Sequence, residues 1–331
     1  MREKVRIGLV GVGEMGGIHL RLLSTHPLAE LVGVCDTDAG VRERAEREYS
    51  VRTYADYRDL IEEGKPDALI IATPPYLHPE QALYALKAGL YVLLEKPLAV
   101  DLEGAKRVCE AAAGRLMMAF SLRFHGLYRR IAEHLDSLGR VVSQWHLALG
   151  RMPRNSWVGH KEKSGGMINE HAVHMLYVFL WYAGEVEEVY ARLWRLGEER
   201  DIEDTATVEL VHASGATSTL IQTWWAGHRL RNWGVQCEGG TVTVEGYLGG
   251  PYKVSRADMS TVEEGVFEEP VEEMYRRQLD HFLDCVIQGK RPAVNEEDGL
   301  RIQRLVAAIH RSAAEGRPVR VGVDNSLLEK K

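Results

Sequence analysis

One stretch near the start of the chain restricts the fold more than any other. The apolar run at 5–10 breaks into Gly11-Val12-Gly13-Glu14-Met15-Gly16-Gly17 and resumes as Ile18-His19-Leu20-Arg21-Leu22-Leu23. This reads as strand, glycine turn and helix. Gly11 permits the tight turn, Gly13 lets the backbone approach a pyrophosphate with no Cβ in the way, and Gly16 lets the helix pack closely on the strand. The N–H groups at the helix start then face the phosphates. Glycines serving only a tight turn would need no acid downstream. Asp36 nevertheless stands 20 residues past Gly16, closing the next apolar run at 31–35, where such an acid meets ribose hydroxyls. The pattern predicts a dinucleotide-binding unit.

The chain then alternates. Asp38 caps a predicted helix to about 48, a second helix covers 57–63, and 68–72 is a buried strand. A helix over 79–88 opens on Pro79 and closes on Gly89, followed by a strand at 91–94, a helix at 101–113 and a strand at 116–120. Near-continuous apolar strands of this kind suit a parallel sheet covered on both faces. Ligands bind beyond the carboxyl ends of such strands, which here carry the glycine turn, Asp36, Thr73-Pro74-Pro75 and Glu95-Lys96-Pro97. From Ser121 the pattern changes. A helix at 127–137, a strand at 140–149, a polar loop at 150–165 and a helix at 167–182 lead into strand-like runs at 186–196, 205–212, 217–225, 233–238 and 241–246. Short turns such as Ala213-Ser214-Gly215 join antiparallel neighbours. Helices at 271–288 and 296–315 and a short run at 319–321 complete the chain.

With 331 residues, two domains can each bury a core. A net charge of −7 argues against a nucleic-acid partner. No stretch is long and apolar enough to span a bilayer, and the short glycine-broken N-terminal run is no signal peptide. The four cysteines, Cys35, Cys109, Cys237 and Cys285, are scattered without a C-x-x-C pair, which suits reduced thiols and a cytoplasmic location.

Glu95-Lys96-Pro97 puts a lysine at a strand end, where it can stabilise negative charge developing on oxygen. With this turn the sequence resembles the Gfo/Idh/MocA family of glucose-fructose oxidoreductase and inositol dehydrogenase. The carriers are residues 11–16, Asp36, Ala72-Thr73-Pro74-Pro75 with His78, Ala88-Gly89 leading into Glu95-Lys96-Pro97, and the segment from Gly165 to His174. Asp204-Thr205-Ala206-Thr207-Val208 and Gly316-Arg317-Pro318-Val319 add to them. The resemblance implies an α/β fold: a Rossmann domain over 1–121, then an α+β domain over 122–331 whose open, mostly antiparallel sheet often forms an oligomer interface. It also implies NAD-linked oxidation or reduction of sugars, polyols and related compounds. Cofactor contacts are expected from Gly11, Gly13, Glu14, Met15, Asp36, Thr73, Pro74, His78, Glu95 and Lys96. A cis Lys96–Pro97 peptide is expected as well. Because Asp36 repels a 2′-phosphate and Thr37 supplies no cation, NAD is expected over NADP.

The family's catalytic pieces match Lys96 and a D-x-x-x-H segment that falls on Glu170 and His174. Residues i and i+4 share a helix face, so Glu170 is expected to orient the His174 ring, which acts as base while Lys96 stabilises the oxyanion. The acid is Glu170 rather than the commoner Asp, Ala172 stands where Gly is frequent, and Tyr177 where Asp often follows. His171-x-x-His174 lacks the further ligands of a zinc site, and no metal is expected. Arg123, Trp157, His160 and Lys163 are expected to flank the cleft between the domains and to bind substrate. The loop from Arg151 to Lys163 is basic, which suits a carboxylated or phosphorylated substrate, while Arg151 and Arg154 themselves read as solvated loop residues. Trp224, Trp225 and Leu220 are expected on an apolar sheet face that a homodimer or homotetramer covers. The functional expectation is a sugar or polyol dehydrogenase. An NAD-dependent, redox-neutral glycoside hydrolase and a non-catalytic cofactor sensor are the alternatives.

Overall fold

The structure, a computed structural model, describes residues 4–151, 157–197 and 200–322; Arg154 lies outside them. These residues form two units: one runs to residue 124 and takes in 271–300, and the other holds 125–270 and the chain from 301.

The first unit contains β1 (Val5–Val10), β2 (Ala29–Cys35), β3 (Thr53–Tyr54), β4 (Ala68–Ile71), β5 (Tyr91–Leu94) and β6 (Leu116–Met118), arranged β3-β2-β1-β4-β5-β6. Every pairing is parallel. Strand order reverses between β1 and β4, and beyond the carboxyl ends at such a reversal these sheets bind nucleotides. Ile7, Leu9, Ile70 and Leu93 are wholly buried, as strands covered on both faces require. The intervening helices are α1 (Glu14–Thr25), α2 (Ala39–Tyr49), α3 (Tyr57–Gly64), α4 (His78–Lys87) and α5 (Leu102–Ala112). Asp38, Asp56 and Asp101 cap α2, α3 and α5 by accepting the N–H groups of Val41, Arg58 and Gly104 at 3.1, 2.8 and 2.7 Å.

The chain later returns to this unit. Helix α9 (Val271–Gln288) lies on α1, where Arg21 meets Glu272 at 3.0 Å and His26 meets Asp280 at 2.8 Å. Helix α10 (Glu296–Glu315) starts here, and its later turns belong to the second unit. A single break after residue 121 therefore misses the return of 271–300 to the N-terminal sheet.

The second unit has helices α6 (Gly126–Leu138), α7 (Lys161–Ser164) and α8 (Val173–Ala183), and a nine-stranded sheet. Its strands are β7 (Val141–Arg151), β8 (Val186–Trp194), β9 (Thr205–His212), β10 (Thr217–Thr223), β11 (Trp225–Cys237), β12 (Gly240–Glu245), β13 (Gly250–Arg256), β14 (Thr261–Phe267) and β15 (Val319–Arg320). They are ordered β14-β13-β12-β11-β7-β10-β9-β8-β15, with β7 and β10 parallel and the remaining pairs antiparallel. Helix α8 covers one face, where Gln144 donates to the Phe179 carbonyl at 2.9 Å. The three residues expected to share an open apolar face do not share one. Leu220 and Trp224 are buried, whereas Trp225 is 57% exposed, with Ile221 and Val211 each 41% exposed.

Among the described residues no helix is long and apolar enough to cross a membrane. The four cysteines are free thiols. Burial pushes Cys35 up to about 12 and Cys237 up to about 11, which holds both protonated at neutral pH.

Candidate active site

The glycine turn follows β1, and each glycine answers a different steric demand. Gly11 has φ 85°, and a Cβ on it would lie 2.7 Å from the Ala72 carbonyl oxygen. A Cβ on Gly16 would lie 1.9 Å from the Gly11 carbonyl oxygen, so helix and strand touch there through backbone alone. Beside Gly13 nothing lies within 4 Å of the added atom. Gly13 is also the N-cap of α1 and offers no side-chain cap, which leaves the helix start open to an anion. Glu14 beside it is exposed and Met15 is half-buried.

Asp36 closes this loop. Its carboxylate accepts the N–H groups of Val12 and Asp38, both at 2.9 Å, and retains lone pairs for ribose hydroxyls. Arg42 donates to the carbonyls of Asp36 and Thr37 at 2.8 and 3.0 Å. An open phosphate approach and an anchored acid together fit a dinucleotide.

At the neighbouring strand ends, Thr73 donates to Gln81 at 2.6 Å, and Pro74 precedes a 3₁₀ turn at Pro75–Leu77. Glu95 is buried, with His19 Nε2 3.0 Å from its Oε1. The Lys96–Pro97 bond is cis. His78 is fully enclosed, its nitrogens 2.8 Å from the Thr73 carbonyl and 2.7 Å from the Pro97 carbonyl. Burial pushes its pKa below the ordinary value, against both carbonyls. Its side chain has no open face and ties the Thr73 and Pro97 turns together.

In the second unit, Trp157, His160 and Lys163 lie on a 3₁₀ turn at Trp157–Gly159 and on α7. The His160 carbonyl there accepts the N–H groups of Lys163 and Ser164, both at 3.0 Å. Gly165 and Gly166 follow with φ 77° and 101°, and a Cβ on Gly166 would strike the Glu203 carboxylate at 2.5 Å. That buried carboxylate accepts the Ile168 N–H at 2.9 Å. Asn169 donates to the Ser164 carbonyl at 2.9 Å and accepts from Gln303 at 2.7 Å.

Held this way, the segment expected to be one regular helix over 167–182 begins as a π turn at Ile168–Ala172 before α8. π turns concentrate at functional sites. Glu170 lies in this wider turn and His174 in the first turn of α8, and both are half-buried. Arg123 belongs to the first unit, on a 3₁₀ turn at Ser121–Phe124.

Sequence reasoning missed His19, Glu203 and His146, three buried groups with structural or electrostatic work to do. The signal for His146 is faint: Gln144 and His146 alternate with apolar residues along a strand, so polar side chains occupy inward positions.

Residues 5–121 match a family described as oxidoreductase, NAD-binding Rossmann fold, and residues 130–321 match its C-terminal alpha/beta domain. Inositol 2-dehydrogenase 4 of Saccharopolyspora erythraea is 31% identical, over 90% of each chain. D-xylose 1-dehydrogenase (NADP(+)) 2 of Haloferax volcanii is 27% identical, over 95% of this chain and 98% of the relative. The WlbA dehydrogenase of Bordetella pertussis, solved with NADH and UDP-GlcNAcA, superposes with a TM-score of 0.84 at 26% identity, over 97% and 99% of the two chains. The sheet order, the glycine turn with Asp36 and these matches lead to one assignment: the chain belongs to the Gfo/Idh/MocA family of NAD(P)-dependent oxidoreductases.

Proposed function

We propose that the chain moves a hydride between NAD and a secondary alcohol or ketone of a sugar, polyol or sugar-derived substrate, in the cytoplasm and as a homo-oligomer. The observation that carries this reading is the joint presence of two chemistries that a mere cofactor sensor does not need. Lys96 follows the buried Glu95 on a turn fixed by His78, and His174 opens α8 after a π turn. NAD supplies the hydride acceptor or donor. His174 takes the hydroxyl proton as general base. Glu170 orients that ring. Lys96 stabilises the charge developing on the same oxygen. Gly11, Gly13, Glu14, Met15, Thr73, Pro74 and Glu95 hold the cofactor, and Arg123, Trp157, His160 and Lys163 contribute to substrate binding. Asp36 favours NAD over NADP, because its carboxylate repels a 2′-phosphate and Arg42 is engaged with backbone carbonyls.

A polyol, sugar and sugar-acid panel assayed for NADH formation tests the reaction. In single-turnover hydride transfer, His174→Ala loses about 10²- to 10⁴-fold with cofactor binding preserved. Lys96→Ala is similarly damaging, and Glu170→Gln is milder. Unchanged turnover in both His174→Ala and Lys96→Ala sinks the assignment.

A further inference from the structure

One patch of the second unit holds polar groups that the proposed chemistry does not use. Strand pairing sets His146 of β7 directly beside Leu220 of β10 and Trp233 of β11. Two residues further along, Ala148 stands beside Gln222 and Arg231, so all six occupy one sheet face. Gln222 donates its amide to His171 Nδ1 at 2.9 Å, which joins this face to the π turn beside Glu170. Tyr247 is the hub. Its ring lies 6.0 Å from that of His146 and 6.5 Å from that of His171, and the Arg231 guanidinium stands 4.9 Å above it.

Two features of this patch point to a missing ligand. First, buried polar atoms without a hydrogen-bond partner gather here: both ring nitrogens of His146, Oε1 of Gln222 and Nε1 of Trp233. His146 is only 2% exposed, and native structures seldom leave such atoms unsatisfied. Second, the exposed Arg231 side chain stands over the Tyr247 ring and makes no ion pair or side-chain hydrogen bond among the described residues, so its N–H groups are open to a ligand arriving from solvent. A guanidinium fixed on an aromatic face presents its N–H fork to a planar anion.

We propose that this patch is a substrate subsite that reads a carboxylate: Arg231 pairs with the carboxylate of a sugar acid, and His146 takes one of its hydroxyls. The inference rests on the sugar or polyol oxidoreductase reading and narrows its substrate to polyhydroxylated acids. His146 suits the role because burial and the nearby His171 and Arg231 hold its ring neutral, leaving one nitrogen to donate and one to accept.

The test pairs D-glucuronate with D-glucose and D-galactonate with galactitol. Binding to the full chain with NAD present is measured by calorimetry, and NADH formation is measured separately. Wild type is expected to bind each acid at least about 10-fold tighter than its neutral partner. Arg231→Gln should weaken acid binding about 10- to 100-fold, the span of a charge-assisted hydrogen bond, and leave neutral binding unchanged. His146→Asn should weaken both members of a pair, with an unchanged melting temperature as the folding control. Acids that bind no better than neutral partners, no binding by any acid, or an Arg231→Gln variant that binds acids like wild type each overturn the subsite. NADH from neutral compounds with no effect of Arg231→Gln leaves the oxidoreductase reading standing without the subsite. Acids that bind through Arg231 yet give no NADH from any panel member leave the subsite standing without that reading.

Discussion

The glycine turn allows a prediction in which stability and cofactor affinity separate. Adding a methyl at Gly13 meets nothing within 4 Å. The helix loses a favoured N-cap residue, at about 0.5–1.5 kcal/mol, and the unfolded chain loses freedom, which returns about 0.4–1 kcal/mol. Net stability of Gly13→Ala should change by no more than about 1 kcal/mol, a shift of about 2–4 °C in Tm. Gly16→Ala differs, because its methyl would sit 1.9 Å from the Gly11 carbonyl oxygen, a backbone atom that cannot rotate away. Overpacking of this kind costs about 1–3 kcal/mol and should lower Tm by several degrees. For NAD the order reverses in cause. In Gly13→Ala the methyl stands where the pyrophosphate must approach the turn, and losing one charge-assisted hydrogen bond of about 1.5–3 kcal/mol weakens binding about 10- to 100-fold. Scanning fluorimetry of the cofactor-free variants and calorimetric titration with NAD read the two effects separately. Wild-type NAD affinity in Gly13→Ala would refute the phosphate placement, and a collapsed Tm in that variant would refute the open space beside it.

Three further outcomes follow from the same geometry. Asp36→Asn should weaken NAD about 10-fold and narrow its advantage over NADP; tighter binding of NADP than of NAD by the wild type contradicts the role of Asp36. Burial depresses His146 to about 3, so between about 3 and 6.5 the unfolded chain binds the extra proton. Stability is then full above about 6.5 and falls as the pH drops, by about 1 kcal/mol per pH unit from this ring; urea melts at pH 7.5, 6 and 5 should show it, His146→Gln should flatten it, and a wild type no less stable at pH 5 refutes it. With Trp225, Ile221 and Val211 exposed, light scattering should report a homo-oligomer at micromolar concentration that Trp225→Glu weakens; a wild-type monomer contradicts the proposed assembly.

The nucleotide-binding half was legible because its rules are local. A glycine turn, an aspartate twenty residues later and a capping aspartate at position 38 each act within a few residues of themselves, and the structure shows all of them. What stayed hidden there is long-range. Nothing in Leu20 and Arg21 marks His19 beside them as the partner of Glu95, 76 residues away. The return of α9 likewise depends on pairs such as His26 with Asp280, 254 residues apart. In the second unit, β13 went unread because its alternation is confined to Tyr252-Lys253-Val254, and the edge strand β14 because Glu263, Glu264 and Gly265 interrupt any apolar alternation. The face that Trp224 and Trp225 occupy was not legible either, because the chain bends between β10 and β11 and turns adjacent tryptophans in different directions.

The segment from Gly165 to His174 shows why spacing alone misjudged its geometry. Four residues separate Glu170 from His174, and a regular helix would stack them on one stripe. The stretch before them cannot enter such a helix smoothly. Gly165 and Gly166 hold left-handed backbone, Glu203 occupies the space a side chain at 166 would need, and the same carboxylate takes the Ile168 N–H. Asn169 is pinned at both ends of its amide. The turn widens to accommodate these fixed points, and a wider turn rotates the acid relative to the histidine. Glu203 comes from a loop 35 residues past Ile168, so no window on the 165–174 segment contains the group that reshapes it. Glu170, one methylene longer than the commoner Asp, stands within that widened turn. The departure from the commoner Asp and the departure from regular helix thus fall in one turn.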